Sequence, residues 1–532
     1  MRRIIAVLGL LLAALTPTFV LSQPAGAATI GAVTGYKGMC LDVRSSNNNN
    51  GTAVQLYTCN GTGAQQWTAQ SNGTFRALGK CMDVAGGAKD NGTLVQLYDC
   101  NGTGAQVWEV QSNGALRNPQ SGRCLDDPLA SPTPGTQLQI YDCNGTDAQK
   151  WQFSNPGWKG AWAAAPCSNG PAFTNQTIRM VVHSTTAGWG ARVRLTNRYG
   201  TAPLAVGAVT IATRSSGGTV AYSQTVFFNG ATSVSIPAGG DRTSDLIGEV
   251  LDADQSLLVS IYLPGSTGPS TWHPEAHETT YIASGNHVND TSTANYSGTS
   301  TSWYFLDGLD VFSGSQDKRT LVAVGDSITD GSGSTTGAEA RWPDDLARRL
   351  NANATPLGVV NAGIGANRVL TSTATPVGGG QQDSLVTRFS RDVLDQPGVK
   401  SVILLEGIND IGNSQVTTQN TTIPSAQDII AGYQKVIGQA HAEGIKIYGG
   451  TILPDKGSGY YNDARETTRQ AVNTWIRTPG SFDGFVDFDA AIRDPSNLKQ
   501  MKPAYDSGDH LHPSDMGYQA MANAVDLDMI TR

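Results

Sequence analysis

Leu321-Val322-Ala323-Val324-Gly325-Asp326-Ser327-Ile328-Thr329 reads as a buried apolar strand that stops at a turn carrying a serine. Three further blocks follow it in order: Asn361-Ala362-Gly363-Ile364-Gly365-Ala366-Asn367-Arg368, Gly407-Ile408-Asn409-Asp410, and Asp509-His510-Leu511-His512-Pro513. Together they hold a hydroxyl, an imidazole and a carboxylate to activate it, and glycine-rich turns with a carboxamide that can donate to an oxyanion. Each of the first three blocks follows an apolar run. Leu321–Val324, Val359–Val360, Val402–Leu405, Ile445–Tyr448 and Phe485–Phe488 alternate with the amphipathic stretches Trp342–Leu350, Ala426–Ala442, Arg465–Ile476 and Ser514–Val525. Strand–helix alternation of this kind predicts a parallel sheet covered on both faces, over 316–532. Such sheets place their sites at the carboxyl ends of the strands, where these motifs fall.

The block order resembles the SGNH (GDSL-type) hydrolases, a family of esterases, lipases and lysophospholipases. The resemblance implies a flavodoxin-like three-layer α/β fold with Ser327 as nucleophile, His512 as general base and Asp509 as the carboxylate that orients it. It implies oxyanion donors at the Ser327 N–H, the Ala366 N–H and the Asn409 side chain. The physical case agrees: a serine hydroxyl needs an imidazole to take its proton, and the imidazole needs an acceptor to set its tautomer. One position departs from the family, which has glycine where this chain has Ala366. The expectation is therefore an ordinary negative φ at Ala366, or a shifted loop in which Gly365 donates. Asp410 is expected to tie down its loop and Asp330 to brace the serine turn. His510, with Asp506 four residues before it, is the rival base. The Gly-x-Ser-x-Gly elbow of the α/β-hydrolases is absent.

At 532 residues the chain exceeds one ordinary domain. Residues 28–153 repeat themselves three times. Cys40-Leu41-Asp42-Val43, Cys81-Met82-Asp83-Val84 and Cys124-Leu125-Asp126-Asp127 correspond, and each copy closes on Gln-x-Trp at Trp67, Trp108 and Trp151. A period of about forty residues with Asn-Gly turns indicates one small all-β unit used three times, with the tryptophans filling a shared core. Six of the seven cysteines fall in three equally spaced pairs. Export and that spacing make Cys40–Cys59, Cys81–Cys100 and Cys124–Cys143 the natural disulfides. Cys167 is left over and reads as a small buried thiol.

The Gln-x-Trp triple with paired cysteines resembles the ricin B-type lectins, which implies a β-trefoil and carbohydrate binding. Carried over, the three pockets use Asp42, Gln55 and Tyr57; Asp83, Gln96 and Tyr98; and Asp126, Gln139 and Tyr141. An aspartate accepts from sugar hydroxyls while tyrosine covers the ring's apolar face. Ala64, Ala105 and Ala148 stand where the family has an asparagine, which removes one polar contact. The third repeat departs further, with Asp127 where its sisters have valine.

Residues 154–315 show half-buried strand patterns split by Gly, Pro, Asn and Ser clusters, which predicts an all-β, sandwich-like middle domain. His183, His273, His277 and His287 are scattered through it without metal-ligand spacing and are expected to be satisfied or surface histidines. Met1-Arg2-Arg3, the apolar run Ile4–Leu15 and Ala25-Gly26-Ala27 read as a signal peptide over 1–27, so the mature protein is expected to be secreted and extracellular, with no transmembrane segment. The net charge of −8 disfavours a nucleic-acid partner. No cofactor or metal is implied.

Together these features predict a secreted serine esterase that removes acyl groups, most plausibly acetyl, from a polysaccharide held by its lectin. The alternatives are a GDSL-type lipase or lysophospholipase and a non-catalytic carbohydrate-binding protein.

Overall fold

In each N-terminal repeat the tryptophan is buried and its indole N–H is anchored to a strand carbonyl. Trp67 donates to Leu41 O at 2.9 Å, Trp108 to Met82 O at 3.0 Å and Trp151 to Leu125 O at 3.1 Å. A large aromatic ring buried in this way contributes roughly 4–6 kcal/mol of transfer free energy, and its one polar atom is satisfied by the same carbonyl in every repeat. The computed structural model describes residues 28–532 except 70–72, 112, 154–156, 189, 249–250, 314–317, 354, 356, 375–380 and 413–422. The predicted leader, 1–27, lies outside the described residues. The repeats form a β-trefoil with the disulfides Cys40–Cys59, Cys81–Cys100 and Cys124–Cys143. Each closes a 19-residue separation, worth about 3 kcal/mol if the unfolded chain is the state constrained.

The middle region is all β. A six-stranded antiparallel sheet centred on Gln176–Ser184 and Gln255–Leu263 faces a four-stranded sheet that contains Gly157–Ala163 and Leu306–Ser313. Its core holds Trp162, Trp303, Ile178, Val259 and Leu309. The middle region is bonded directly to the catalytic sheet. Gly160 N donates to Thr320 Oγ1 at 2.9 Å, and Thr185 Oγ1 donates to Val359 O at 2.8 Å. Ala163, Ala165 and Cys167 belong to the catalytic domain's core, so the start of the middle region is packed into it while the rest keeps a core of its own. Burial pushes the Cys167 thiol up to about 12, which keeps it protonated and inert.

The catalytic sheet has five parallel strands: β1 (Thr320–Gly325), β2 (Gly358–Gly363), β3 (Val399–Leu405), β4 (Lys446–Gly450) and β5 (Phe485–Val486), in the order β2-β1-β3-β4-β5. All six residues of β1 are buried, as an interior strand of a doubly covered sheet requires. The helices Trp342–Ala352, Ala426–Ala442, Asp463–Arg477 and Asp515–Ala524 fall within a few residues of their predicted bounds. The fifth strand is shorter than its apolar pattern, because Phe488 opens a helix, Phe488–Ile492, capped by Asp487. From β1 the chain moves one way to β2, then jumps back past β1 to β3. Right-handed crossovers then put the first helix and the later ones on opposite faces. The crevice opens at that reversal, outside the carboxyl ends of β1, β2 and β3. Among the described residues no helix is long and apolar enough to cross a membrane.

Candidate active site

Strand β1 ends at Gly325, and a single helical turn, Ser327–Asp330, begins at once. A Cβ at Gly325 would lie 2.1 Å from Leu405 O and 2.4 Å from Thr329 Oγ1, so only glycine permits the turn to fold back this tightly. Asp326 caps it, accepting the Ile328 N–H at 3.0 Å, and Gly331, at φ +114°, ends it. Ser327 is therefore held at the head of a rigid elbow. Its own N–H, the first of the turn, has no intrahelical acceptor.

The Ser327 hydroxyl lies 2.8 Å from His512 Nε2, and His512 Nδ1 lies 2.6 Å from Asp509 Oδ2. The loop that brings both partners is pinched shut, since Ser507 N donates to His512 O at 3.0 Å and Ser514 N to Tyr505 O at 2.8 Å. Asp509 Oδ1 accepts the Leu511 and His512 N–H groups. Burial pushes the Asp509 carboxyl up, but the His512 imidazole and these N–H bonds outweigh it and hold the group well below the usual carboxylate range. A serine–imidazole–carboxylate chain with these distances can pass the hydroxyl proton to His512 while Asp509 fixes the ring. The rival, His510, is paired with Asp506 at 2.5 Å, and its ring packs against Gly457. The hydroxyl of Ser327 therefore meets His512 and not His510.

Asn409, 2 % exposed, is fixed at both ends of its carboxamide. Nδ2 donates to Asn367 O at 3.0 Å, and Tyr460 donates to Oδ1 at 3.1 Å. Nδ2 has a second hydrogen to offer. Asp410, the next residue, accepts the Val369 and Leu370 N–H groups and so clamps the loop after β2. Both expectations for Ala366 need correction. Its φ is +59°, in the left-handed region, not negative. Gly365 cannot donate in its place, because its N–H is taken by Asp330 Oδ2 at 3.1 Å. The turn is over-determined: Ile364 N donates to Gly325 O and Asn367 N to Ile364 O. These bonds hold an alanine in a conformation that costs roughly 1–2 kcal/mol. Among the described residues the Ala366 N–H has no acceptor, which leaves it available alongside the Ser327 N–H and Asn409 Nδ2.

Several supports had no local motif. Arg388, fully buried, donates to Gly325 O at 2.9 Å, Ala362 O at 2.8 Å and Asn367 Oδ1 at 2.8 Å, tying the ends of β1 and β2 to one guanidinium. An arginine between the apolar residues Leu385, Val386 and Phe389 was the available signal. His273 comes from the middle region. It is 1 % exposed and joins Asp330 Oδ1 at 3.1 Å and Ala165 O at 3.2 Å. Burial lowers its basicity, yet the charge and hydrogen bond of Asp330 and the Ala165 carbonyl overcome this and raise it. Asp330 thus braces the elbow to the loop after β2, and His273 braces Asp330. The other three middle-region histidines make no hydrogen bond to Asp330 among the described residues. His183 bonds Asp254 and Ser256, His287 bonds Asp290, and His277 lies 3.8 Å from Glu275.

Burial pushes the Asp326 carboxyl up to about 7 and Asp410 up to about 6, against hydrogen bonds from Ile328 and from Val369 and Leu370. A carboxyl raised in the folded state keeps a proton that the unfolded chain has already released. Its stabilisation is complete below the unfolded value and is lost as pH rises through the folded one. Asp326→Asn mimics the protonated form and can still cap Ile328. The variant is expected to melt above wild type at pH 8, on the order of 2–4 kcal/mol, with the difference shrinking as pH falls and closing only near pH 4. A gap in melting temperature that stays constant across this range counts against the buried proton.

In the trefoil the first glutamine of each Gln-x-Trp is the hub. Gln65 Nε2 donates to Asp42 Oδ2 at 3.1 Å, and its Oε1 accepts the Asn60 N–H at 2.8 Å. Gln106 and Gln149 repeat this on Asp83 with Asn101 and on Asp126 with Asn144. Gln55, Gln96 and Gln139 bond the other oxygen of the same aspartates. Tyr57, Tyr98 and Tyr141 are 40, 37 and 40 % exposed. Asp42, Gln55 and Tyr57 line a concavity of about 400 Å³ with Asn60, and Asp83, Gln96 and Tyr98 line one of about 450 Å³ with Asn101. These asparagines were missed, although Cys-Asn-Gly-Thr recurs in all three repeats. In the third, Asp127 is fully buried, and burial with the charge of Asp126 pushes it up to about 6.

Residues 29–151 match the ricin-type beta-trefoil lectin domain, and residues 323–520 match the GDSL-like lipase/acylhydrolase family. Among curated proteins, the ribosome-inactivating protein PMRIPt of Polygonatum multiflorum is 42% identical over 48 residues, 9% of this chain and 8% of that protein. A glucan endo-1,3-beta-glucosidase of Cellulosimicrobium cellulans is 49% identical over 55 residues, 10% of this chain and 9% of the glucosidase. The chain thus matches less than a tenth of the length of these relatives. Among solved structures, a putative lipolytic protein of the G-D-S-L family from Desulfitobacterium hafniense DCB-2 is 22% identical, covering 39% of this chain and 97% of that one, with a TM-score of 0.29. The designed threefold-symmetric protein ThreeFoil is 28% identical, covering 23% of this chain and 94% of that one, with a TM-score of 0.22.

Proposed function

Because the chain carries a GDSL-type ester hydrolase domain and a ricin-type trefoil lectin domain, we propose that it is a secreted esterase that removes acetyl groups from a polysaccharide to which the lectin holds it. The observation that carries the catalytic part is the Ser327–His512–Asp509 chain at 2.8 and 2.6 Å. In this reading Ser327 Oγ attacks the ester carbonyl as His512 Nε2 takes its proton. The Ser327 N–H, Ala366 N–H and Asn409 Nδ2 receive the oxyanion. His512 then gives the proton to the departing sugar oxygen, leaving an acetyl-serine that water, deprotonated by His512, cleaves to acetate. Three disulfides and the predicted leader support an extracellular setting. The exposed tyrosines beside ordered aspartates support glycan docking, which raises local ester concentration without adding a catalytic contact.

Acetate release from acetylated xylan, pectin and chitin fragments tests this reading. Turnover of long-chain acyl esters in preference to all of these would favour the lipase alternative. The triple variant Tyr57→Ala, Tyr98→Ala, Tyr141→Ala is expected to lower the ratio of turnover on insoluble acetylated polymer to turnover on a soluble acetyl ester by about tenfold or more. An unchanged ratio removes the targeting role.

A further inference from the structure

The mouth of the crevice is not built by the α/β domain alone. The middle-region strand Pro269–His273 runs into a loop that touches the elbow twice. The first contact is His273 on Asp330. The second is Glu275, two residues on, whose Oε2 accepts the Ser332 hydroxyl at 2.8 Å. Ser332 is itself fixed, since its N–H donates to Ser327 O at 2.9 Å and its carbonyl accepts the Tyr518 hydroxyl at 2.6 Å. The other oxygen, Oε1, faces the loop after β2, where a Cβ at Gly365 would lie 3.4 Å from it. Gly365 directly precedes Ala366. Oε1 has no donor among the described residues, and the Glu275 side chain is 40 % exposed.

A carboxylate therefore stands at the lip between the serine elbow and the Ala366 turn, one oxygen anchored and the other open. The charged and titratable groups facing it are Asp330, already paired with His273, His277 at 3.8 Å, and His512 across the serine. Burial and the charge of Asp330 push the Glu275 carboxyl up, while Ser332, His273 and His512 pull it back. Nothing in the hydrolytic cycle above uses this group.

We infer that Glu275 selects the alcohol portion of the ester: its open oxygen accepts a hydrogen bond from a sugar hydroxyl beside the acyl group, and its charge repels alcohols that carry phosphate or carboxylate. The inference rests on the ester-hydrolase reading and narrows its substrate to neutral polyhydroxy alcohols. An ionised carboxylate only accepts, so a hydroxyl satisfies it and a second anion cannot. At a partly desolvated lip, like charges cost more than they do in bulk water.

The test compares kcat/KM of the full chain on methyl 2-O-acetyl-β-xyloside, whose 3-hydroxyl is free, with that on 1-O-acetylglycerol 3-phosphate. Wild type is expected to prefer the xyloside. Glu275→Gln keeps an acceptor for Ser332 but removes the charge. It is expected to narrow that preference about tenfold, mainly by raising KM for the xyloside and lowering it for the phosphate. Ser332→Ala, which frees the carboxylate from its anchor, is expected to narrow it in the same direction by a smaller factor. A merely structural glutamate would change both substrates alike, so an unchanged ratio in the two variants overturns the inference, as does a wild type that prefers the phosphate. Failure of the esterase reading has a different signature: wild type then turns over neither probe, and the inference falls with it.

Discussion

Ser327→Ala is expected to lower kcat for ester hydrolysis by about a millionfold, with the melting temperature unchanged to within a few degrees. Ser327 is 9 % exposed, and among the described residues the hydroxyl's hydrogen-bond partner is His512, so its removal opens no apolar core cavity. The elbow does not depend on it. The Asp326 cap, the Gly331 N–H to Ser327 O bond at 2.8 Å and the Arg388 bonds to Gly325 all involve other atoms. The oxyanion donors also survive, so a residual rate above that in water is expected. Because Ser327 and His512 act as one unit, the double variant Ser327→Ala, His512→Ala should be no slower than either alone. Initial rates on p-nitrophenyl acetate, with labelling by a phosphonate reagent, measure both points. A Ser327→Ala protein that retains even one per cent of wild-type activity, or wild type in which the label lands elsewhere, places the nucleophile at another residue.

Asp509→Asn is expected to cost about 10⁴ in kcat with little change in KM. Asp509 Oδ2 lies 2.6 Å from His512 Nδ1, while Oδ1 holds the Leu511 and His512 N–H groups. An amide can keep those main-chain bonds through its oxygen, but it then turns its NH₂ toward Nδ1. That arrangement selects the tautomer protonated at Nε2, which faces Ser327 with a hydrogen and not a lone pair. The loop should stay closed, because Ser507 N to His512 O and Ser514 N to Tyr505 O do not involve Asp509. Asp509 is held well below the usual carboxylate range, so wild type should keep this carboxylate ionised across the whole working pH interval. A fall in activity in acid then reports proton uptake elsewhere. A loss of less than tenfold in Asp509→Asn, with the fold intact, would remove the orienting role from Asp509. A loss of about 10⁴ in Asp506→Asn instead would transfer that role to the His510 pair.

The sequence by itself determined the elements whose cause is local. The period of the N-terminal repeat and the cysteine spacing mark one small all-β unit used three times around a shared core, and the Gln-x-Trp resemblance to ricin B-type lectins implies the trefoil. The strand–helix alternation fixed the parallel sheet, since an all-apolar strand such as Leu321–Val324 must be covered on both faces. Asp509 and His512, three residues apart, were paired by the resemblance to the SGNH hydrolases, while spacing by itself left His510 with Asp506 as a rival. What lay beyond reach was set by residues distant in sequence. The left-handed Ala366 is held by Gly325 and Asp330, and local propensity argues against it. Arg388 serves three carbonyl-type oxygens that no motif links to it. The middle region puts His273 and Glu275 against the serine elbow. Propensity and periodicity are short-range signals, whereas the satisfaction of buried polar groups is a property of the closed fold. For that reason the tertiary structure alone decided which side chains support the serine and which carboxylate stands beside its elbow.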